Sequence, residues 1–181
     1  SETITLAAGD KWRGVYRFDN VNGPSGVVVI SSDPIRLDGT GTAMFTGPAN
    51  GQTFDLQTPV VSTQPVTVAG GVTSPAITAP SVHLLSSARL AGGTVTAPLL
   101  INAASSMTVD AGGVIDVTGR GYGPGTTYPG ATSSATNAGG SHIGIGGPYG
   151  GDAGGSAFGS SYHPQEAGGA PGTQPSGGGA V

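Results

Sequence analysis

Cysteine is absent from this 181-residue chain and charge is scarce: six Lys or Arg and ten Asp or Glu make up 9% of it. The first absence excludes disulfides, thiolate nucleophiles and cysteine-ligated metals. The second leaves no basic cluster, and with it no electrostatic footprint for nucleic acid. No apolar run approaches the ~20 residues of a membrane-spanning helix. Helix is excluded too, because 35 glycines and 14 prolines interrupt every window that could carry a helical apolar stripe. Disorder would need few apolar residues and a high net charge. Here 36% of the chain is hydrophobic and the net charge is −4, so order is expected.

What is present is β-forming. Short runs of Val, Ile, Leu, Phe and Thr, such as Val27–Ile30, Ile35–Leu37, Phe54–Leu56, Val66–Val68, Val82–Leu85 and Val114–Val117, favour pleated, half-buried surfaces. An Ala-Gly-Gly triplet begins at Ala69, Ala91 and Ala111, then at Ala138, Ala153 and Ala167. Glycine accepts positive φ, so the triplets suit corners. Strands of two to four residues gain support when the next turn of chain pairs above them in register. The pattern therefore predicts an all-β fold, a right-handed parallel β-helix (β-solenoid), with an antiparallel sandwich as the competing arrangement. Residues 1–20 form a capping or edge strand, 21–118 the solenoid rungs, and 119–181 a glycine-rich segment packed on or extending them. In the first of these, Lys11–Phe18 alternates, with Trp12, Tyr16 and Phe18 on one parity and Lys11, Arg13 and Arg17 on the other.

From Gly119 to Val181 there are 21 glycines in 63 residues. A flexible linker needs no large apolar side chains, yet this segment carries Tyr122, Tyr128, Ile143, Ile145, Tyr149, Phe158 and Tyr162. They read as anchors of an ordered, polyproline-II-like or loop array, in which glycine lets neighbouring chains approach. The Gly-X-Y period is not kept, which excludes collagen.

Candidate chemistry is thin. His83 sits in an apolar run, while His142 and His163 lie among glycines with only Asp152 and Glu166 as nearby carboxylates, too few for a metal site. Asp110 and Asp116 are the nearest approach to a glycosidase or lyase pair, with Arg36, Arg89 and Arg120 as the available cations. Gly119–Gly123 holds one arginine, not an RGG array, and Gly144-Ile145-Gly146 lacks the βαβ context of a nucleotide fingerprint. No catalytic residue, metal or cofactor is expected.

Four segments carry a family resemblance: GGVIDVTGRGYG (112–123), GGSHIGIGG (139–147), FGSSYHPQEAGG (158–169) and SGGGAV (176–181). Residues 111–181 resemble the glycine-rich parallel β-helix module of very large bacterial surface, adhesin-like proteins, departing from it at Ile143 and Ile145. The resemblance implies architecture and not catalysis, with Val181 falling where a returning strand would begin, as in a segment of a longer polypeptide. The function expected is a non-enzymatic, secreted or cell-surface structural segment, an adhesin stalk or filament subunit. Its partners would be copies of itself, neighbouring segments of a longer chain, or a glycan or cell-surface receptor. Trp12, Tyr16, Tyr122, Tyr149 and Tyr162 are the candidate contact residues. The alternatives are a phage tail-fibre receptor-binding adhesin and a polysaccharide-degrading β-helix enzyme.

Overall fold

The computed structural model describes residues 3–7, 9–12, 20–49, 51–162 and 165–181. They divide into two compact units: Ser1–Gly92 with Leu100–Asp116, and Gly93–Leu99 with Val117–Val181. The first unit holds all the strands, in two sheets, and no helix occurs among the described residues. The larger sheet contains β1 (Thr3–Thr5), β3 (Asn20–Asn22), β5 (Ile35–Leu37), β6 (Ala43–Thr46), β8 (Val60–Ser62), β9 (Val66–Ala69), β11 (Ala76–Leu84) and β13 (Leu100–Val109). The smaller contains β2 (Lys11–Trp12), β4 (Val28–Val29), β7 (Phe54–Leu56), β10 (Gly71–Thr73), β12 (Arg89–Ala91) and β14 (Val114–Asp116). Every strand pair in both sheets is parallel.

Alternation in the sequence becomes alternation in burial. In β5 Ile35 and Leu37 are buried and Arg36 is exposed; in β6 Ala43 and Phe45 are buried and Met44 is exposed. Phe45, Phe54, Leu37, Leu56, Ile77, Leu84 and Leu90 are among the largest fully buried side chains, drawn from both sheets. At Gly23, just past β3, a Cβ would overlap the ring of Phe54 on β7, so the two sheets share one interior there. Burying such side chains stabilises by roughly 1.5–3 kcal/mol each.

The right-handed parallel β-helix expected over residues 21–118 is not what these strands form. The larger sheet runs β1-β3-β6-β9-β11-β8-β5 and curls into a half-barrel, with β13 on β11 beside this path. The cause lies in β11, whose nine residues join two columns that a solenoid keeps on separate faces. Ile77 and Thr78 pair with Val60 and Val61 of β8, while Val82–Leu84 pair with Val66–Val68 of β9. Between these halves sits Pro80, which has no N–H to give, and the register with β13 slips there. Ser105 Oγ donates to the Pro80 carbonyl at 2.7 Å and fastens the irregularity. The fold is all-β, and the solenoid reading is corrected to two parallel sheets.

Among its described residues the second unit has no extended ladder. Its segments are joined by scattered backbone hydrogen bonds: Gly121 N–H to Gly177 O at 2.8 Å, Tyr122 N–H to Gly168 O at 3.0 Å, Gly139 N–H to Gly147 O at 2.8 Å, and Gly146 N–H to Gly155 O at 3.2 Å. Glycine is needed because the backbones touch. A Cβ at Gly121 would overlap the Gly178 carbonyl, and one at Gly154 the Gly146 carbonyl.

Candidate functional site

The second unit contains a cavity of about 330 Å³ lined by Val95, Thr96, Pro98, Tyr122, Tyr128, Pro129, Gln165 and Glu166. Three stretches build it. The 93–99 loop is shaped by a turn in which Thr94 N–H donates to Ala97 O at 2.7 Å. Its end is held by Leu99 N–H donating to Ala180 O at 3.1 Å. Tyr122 is fixed through its backbone, donating to Gly168 and accepting from Gly177 N–H at 2.9 Å. The chain around Gln165 and Glu166 follows alongside, since Ala170 N–H donates to Thr126 O at 3.1 Å.

Phe158 organises the aromatic wall. Tyr128 stacks on it at 5.6 Å between centroids, Tyr122 meets it edge-on at 6.4 Å, and His142 edge-on at 5.4 Å. Stacked and edge-to-face contacts both suit the ring quadrupole. The Tyr122 phenol is raised above its ordinary pKa, first by burial, then by Tyr128 and Glu166. A Cβ at Gly159 would lie 2.8 Å from Nε2 of His142 and 3.4 Å from Oε2 of Glu166. Glycine at this position lets both side chains close in. Nε2 of His142 is buried with no hydrogen-bond partner among the described residues.

Of the five residues expected to contact a partner, the structure brings only Tyr122 into this cavity. Tyr149 is exposed at the head of a tight hairpin, Tyr149-Gly150-Gly151-Asp152, whose glycines have φ of 61° and 91°. Tyr162 is 89% exposed and lines no part of the cavity. Tyr16 lies outside the described residues, and of Trp12 only the backbone of β2 is described, opposite Val29. In the sequence Tyr128 reads as an anchor, and Glu166 as one of two carboxylates near His142 and His163. Nothing in it placed them beside the 93–99 loop, which lies far away along the chain.

The two carboxylates that come nearest to a glycosidase or lyase pair in the sequence each have a partner. Asp110 Oδ1 lies 2.8 Å from Nε2 of His83, and Asp116 Oδ2 lies 2.7 Å from Nη2 of Arg89. No group of three metal-ligating side chains forms among the described residues, and no helix is long and apolar enough to cross a membrane. What the second unit offers chemically is two phenols, one carboxylate, one amide and proline rings around a small void. Comparison with family models, curated proteins and solved structures gives no match for this chain.

Proposed function

We propose that this chain is a non-enzymatic structural and adhesive segment of an extracellular or cell-surface bacterial protein, a stalk or filament subunit that works by pairing with further copies or neighbouring segments. The observation that carries this reading is the edge strand β13. Ten residues long, it pairs with β11 on one side and, among the described residues, with no strand on the other. None of its residues is charged or proline, and Leu100, Met107 and Val109 are 58%, 38% and 43% exposed. Sheets that avoid association guard such edges with charge, proline or shortness. An unguarded edge of this length suits a protein that adds strands from outside. A glycine-rich unit tied by backbone hydrogen bonds, and a core with no charged group among the described residues, suit mechanical endurance.

The test is assembly. Sedimentation velocity over a hundredfold range of concentration, with electron microscopy of the concentrated sample, is expected to show oligomers or fibres. Val109→Lys and Met107→Lys, which place charge on the exposed face of β13, are expected to reduce assembly while leaving the circular dichroism unchanged. A chain that stays monomeric throughout, or assembly indifferent to both substitutions, overturns the reading. Incubation with a panel of acidic polysaccharides, assayed for cleavage, checks the enzymatic alternative separately.

A further inference from the structure

We propose that the cavity walled by Tyr122, Tyr128 and Glu166 is a binding site for a small organic cation, an alkylammonium group. Its volume, about 330 Å³, falls at the lower end of small-ligand pockets. Among the described lining residues Glu166 supplies the one formal charge, and none is a lysine, arginine or histidine. Among the described residues its carboxylate takes one long hydrogen bond, 3.3 Å from the N–H of Gln165. No other described residue uses the remaining acceptor capacity of this carboxylate.

The aromatic groups point the same way. An aromatic face carries negative potential and attracts a cation within about 6 Å. Tyr128 is held with one face on Phe158 and is still 41% exposed, so it presents a fixed platform. Tyr122 is anchored edge-on to the same ring. Its phenol is raised first by burial, then by Tyr128 and by Glu166, so the Glu166 carboxylate is close enough for its negative charge to be felt at this wall.

Other ligand classes fit less well. An anion would meet Glu166 and two ring faces with no compensating cation among the described lining residues. A neutral apolar ligand would cover the carboxylate and leave it desolvated without a partner, which is costly. An ammonium head satisfies the carboxylate and rings, while its alkyl stem lies along Val95, Pro98 and Pro129. The same chemistry occurs in a lysine-type primary amine and in a choline-type quaternary head.

The test is calorimetric or NMR titration of the full chain with n-butylammonium chloride and choline chloride, alongside two controls: 3,3-dimethylbutanol, the uncharged isostere of choline, and sodium butyrate. At least one ammonium is expected to bind with Kd of about 1 mM or tighter. The neutral isostere and the anion are expected to bind at least tenfold more weakly. Glu166→Gln is expected to weaken ammonium binding about tenfold with unchanged melting temperature. Should that variant not fold, the wild-type affinity must still fall as sodium chloride is raised. Preference for butylammonium identifies an amine source and preference for choline a lipid-type head; either supports the site. Equal binding of 3,3-dimethylbutanol and choline, salt-independent binding, or no ammonium binding up to about 50 mM overturns it. This cavity lies in the second unit and β13 in the first, so assembly and ammonium binding can fail independently.

Discussion

Arg89 on β12 sets both Nε and Nη2 against one oxygen of Asp116 on β14, at 2.8 and 2.7 Å. The register places Arg89 opposite Val114 and Asp116 opposite Ala91, so the pair is diagonal across the last two strands of the smaller sheet. His83 and Asp110 repeat the device in the larger sheet, where His83 lies opposite Thr108. The two aspartates that looked most like a catalytic pair in the sequence are therefore each held by a neighbouring strand. Diagonal neighbours are within reach of long side chains. Asp116→Asn is expected to lower stability by about 0.5–1 kcal/mol, since both side chains remain partly exposed and screened. Urea unfolding measures this. No change in midpoint would mean that the pair does not tie β14 down.

Gln64, in the turn between β8 and β9, is 4% exposed. Neither side-chain polar atom of its amide has a hydrogen-bond partner among the described residues. A buried, unpaired amide opposes folding, and an apolar side chain of similar length removes that cost. Gln64→Met is therefore expected to raise stability by about 1–2 kcal/mol. A thermal melt that falls on substitution would show that the amide is satisfied in solution.

Glycines that look alike in the sequence differ sharply in space. Gly144 has nothing within 4 Å of a built Cβ, whereas a Cβ at Gly154 would overlap the Gly146 backbone. Neither has a positive φ. Gly144→Ala is expected to be neutral or to stabilise by about 0.5 kcal/mol through the unfolded state. Gly154→Ala is expected to cost about 2–3 kcal/mol, because a backbone must move. Chemical denaturation of the two variants side by side decides it; similar midpoints would refute the close backbone packing of the second unit.

The same contrast explains what could be read beforehand. Ile35-Arg36-Leu37 and Phe54-Asp55-Leu56 were legible as short strands, because a run of β-forming residues is a local signal. Each of the first three Ala-Gly-Gly triplets has one left-handed glycine, Gly70, Gly93 or Gly112, as corners require. In the last three no glycine has positive φ, and Gly140, Gly154 and Gly169 instead admit a neighbouring chain. One triplet serves two purposes, and only tertiary contacts tell them apart. The joining of two strand columns in β11 was hidden for a similar reason: Pro80 looked like a break between runs, yet the strand continues through it. The cavity was hidden because its walls come from residues 95–98, 122–129 and 165–166, which no spacing rule connects.

Tyr122 gives the second unit a signature in alkali. Burial, followed by Tyr128 and Glu166, raises its phenol above 10.0. The folded chain thus holds this proton more tightly than the unfolded chain. The corresponding stability is fully present below pH 10 or so and is lost as pH rises through the folded value, where the unfolded state binds fewer protons. Tyr122→Phe keeps most of the ring contact with Phe158 and removes the titration. Unfolding midpoints measured from about pH 8 to about pH 11 are expected to fall more steeply for the wild type than for Tyr122→Phe. Parallel slopes would mean that the phenol is as free to ionise in the fold as in the open chain, and that the wall around it is not closed.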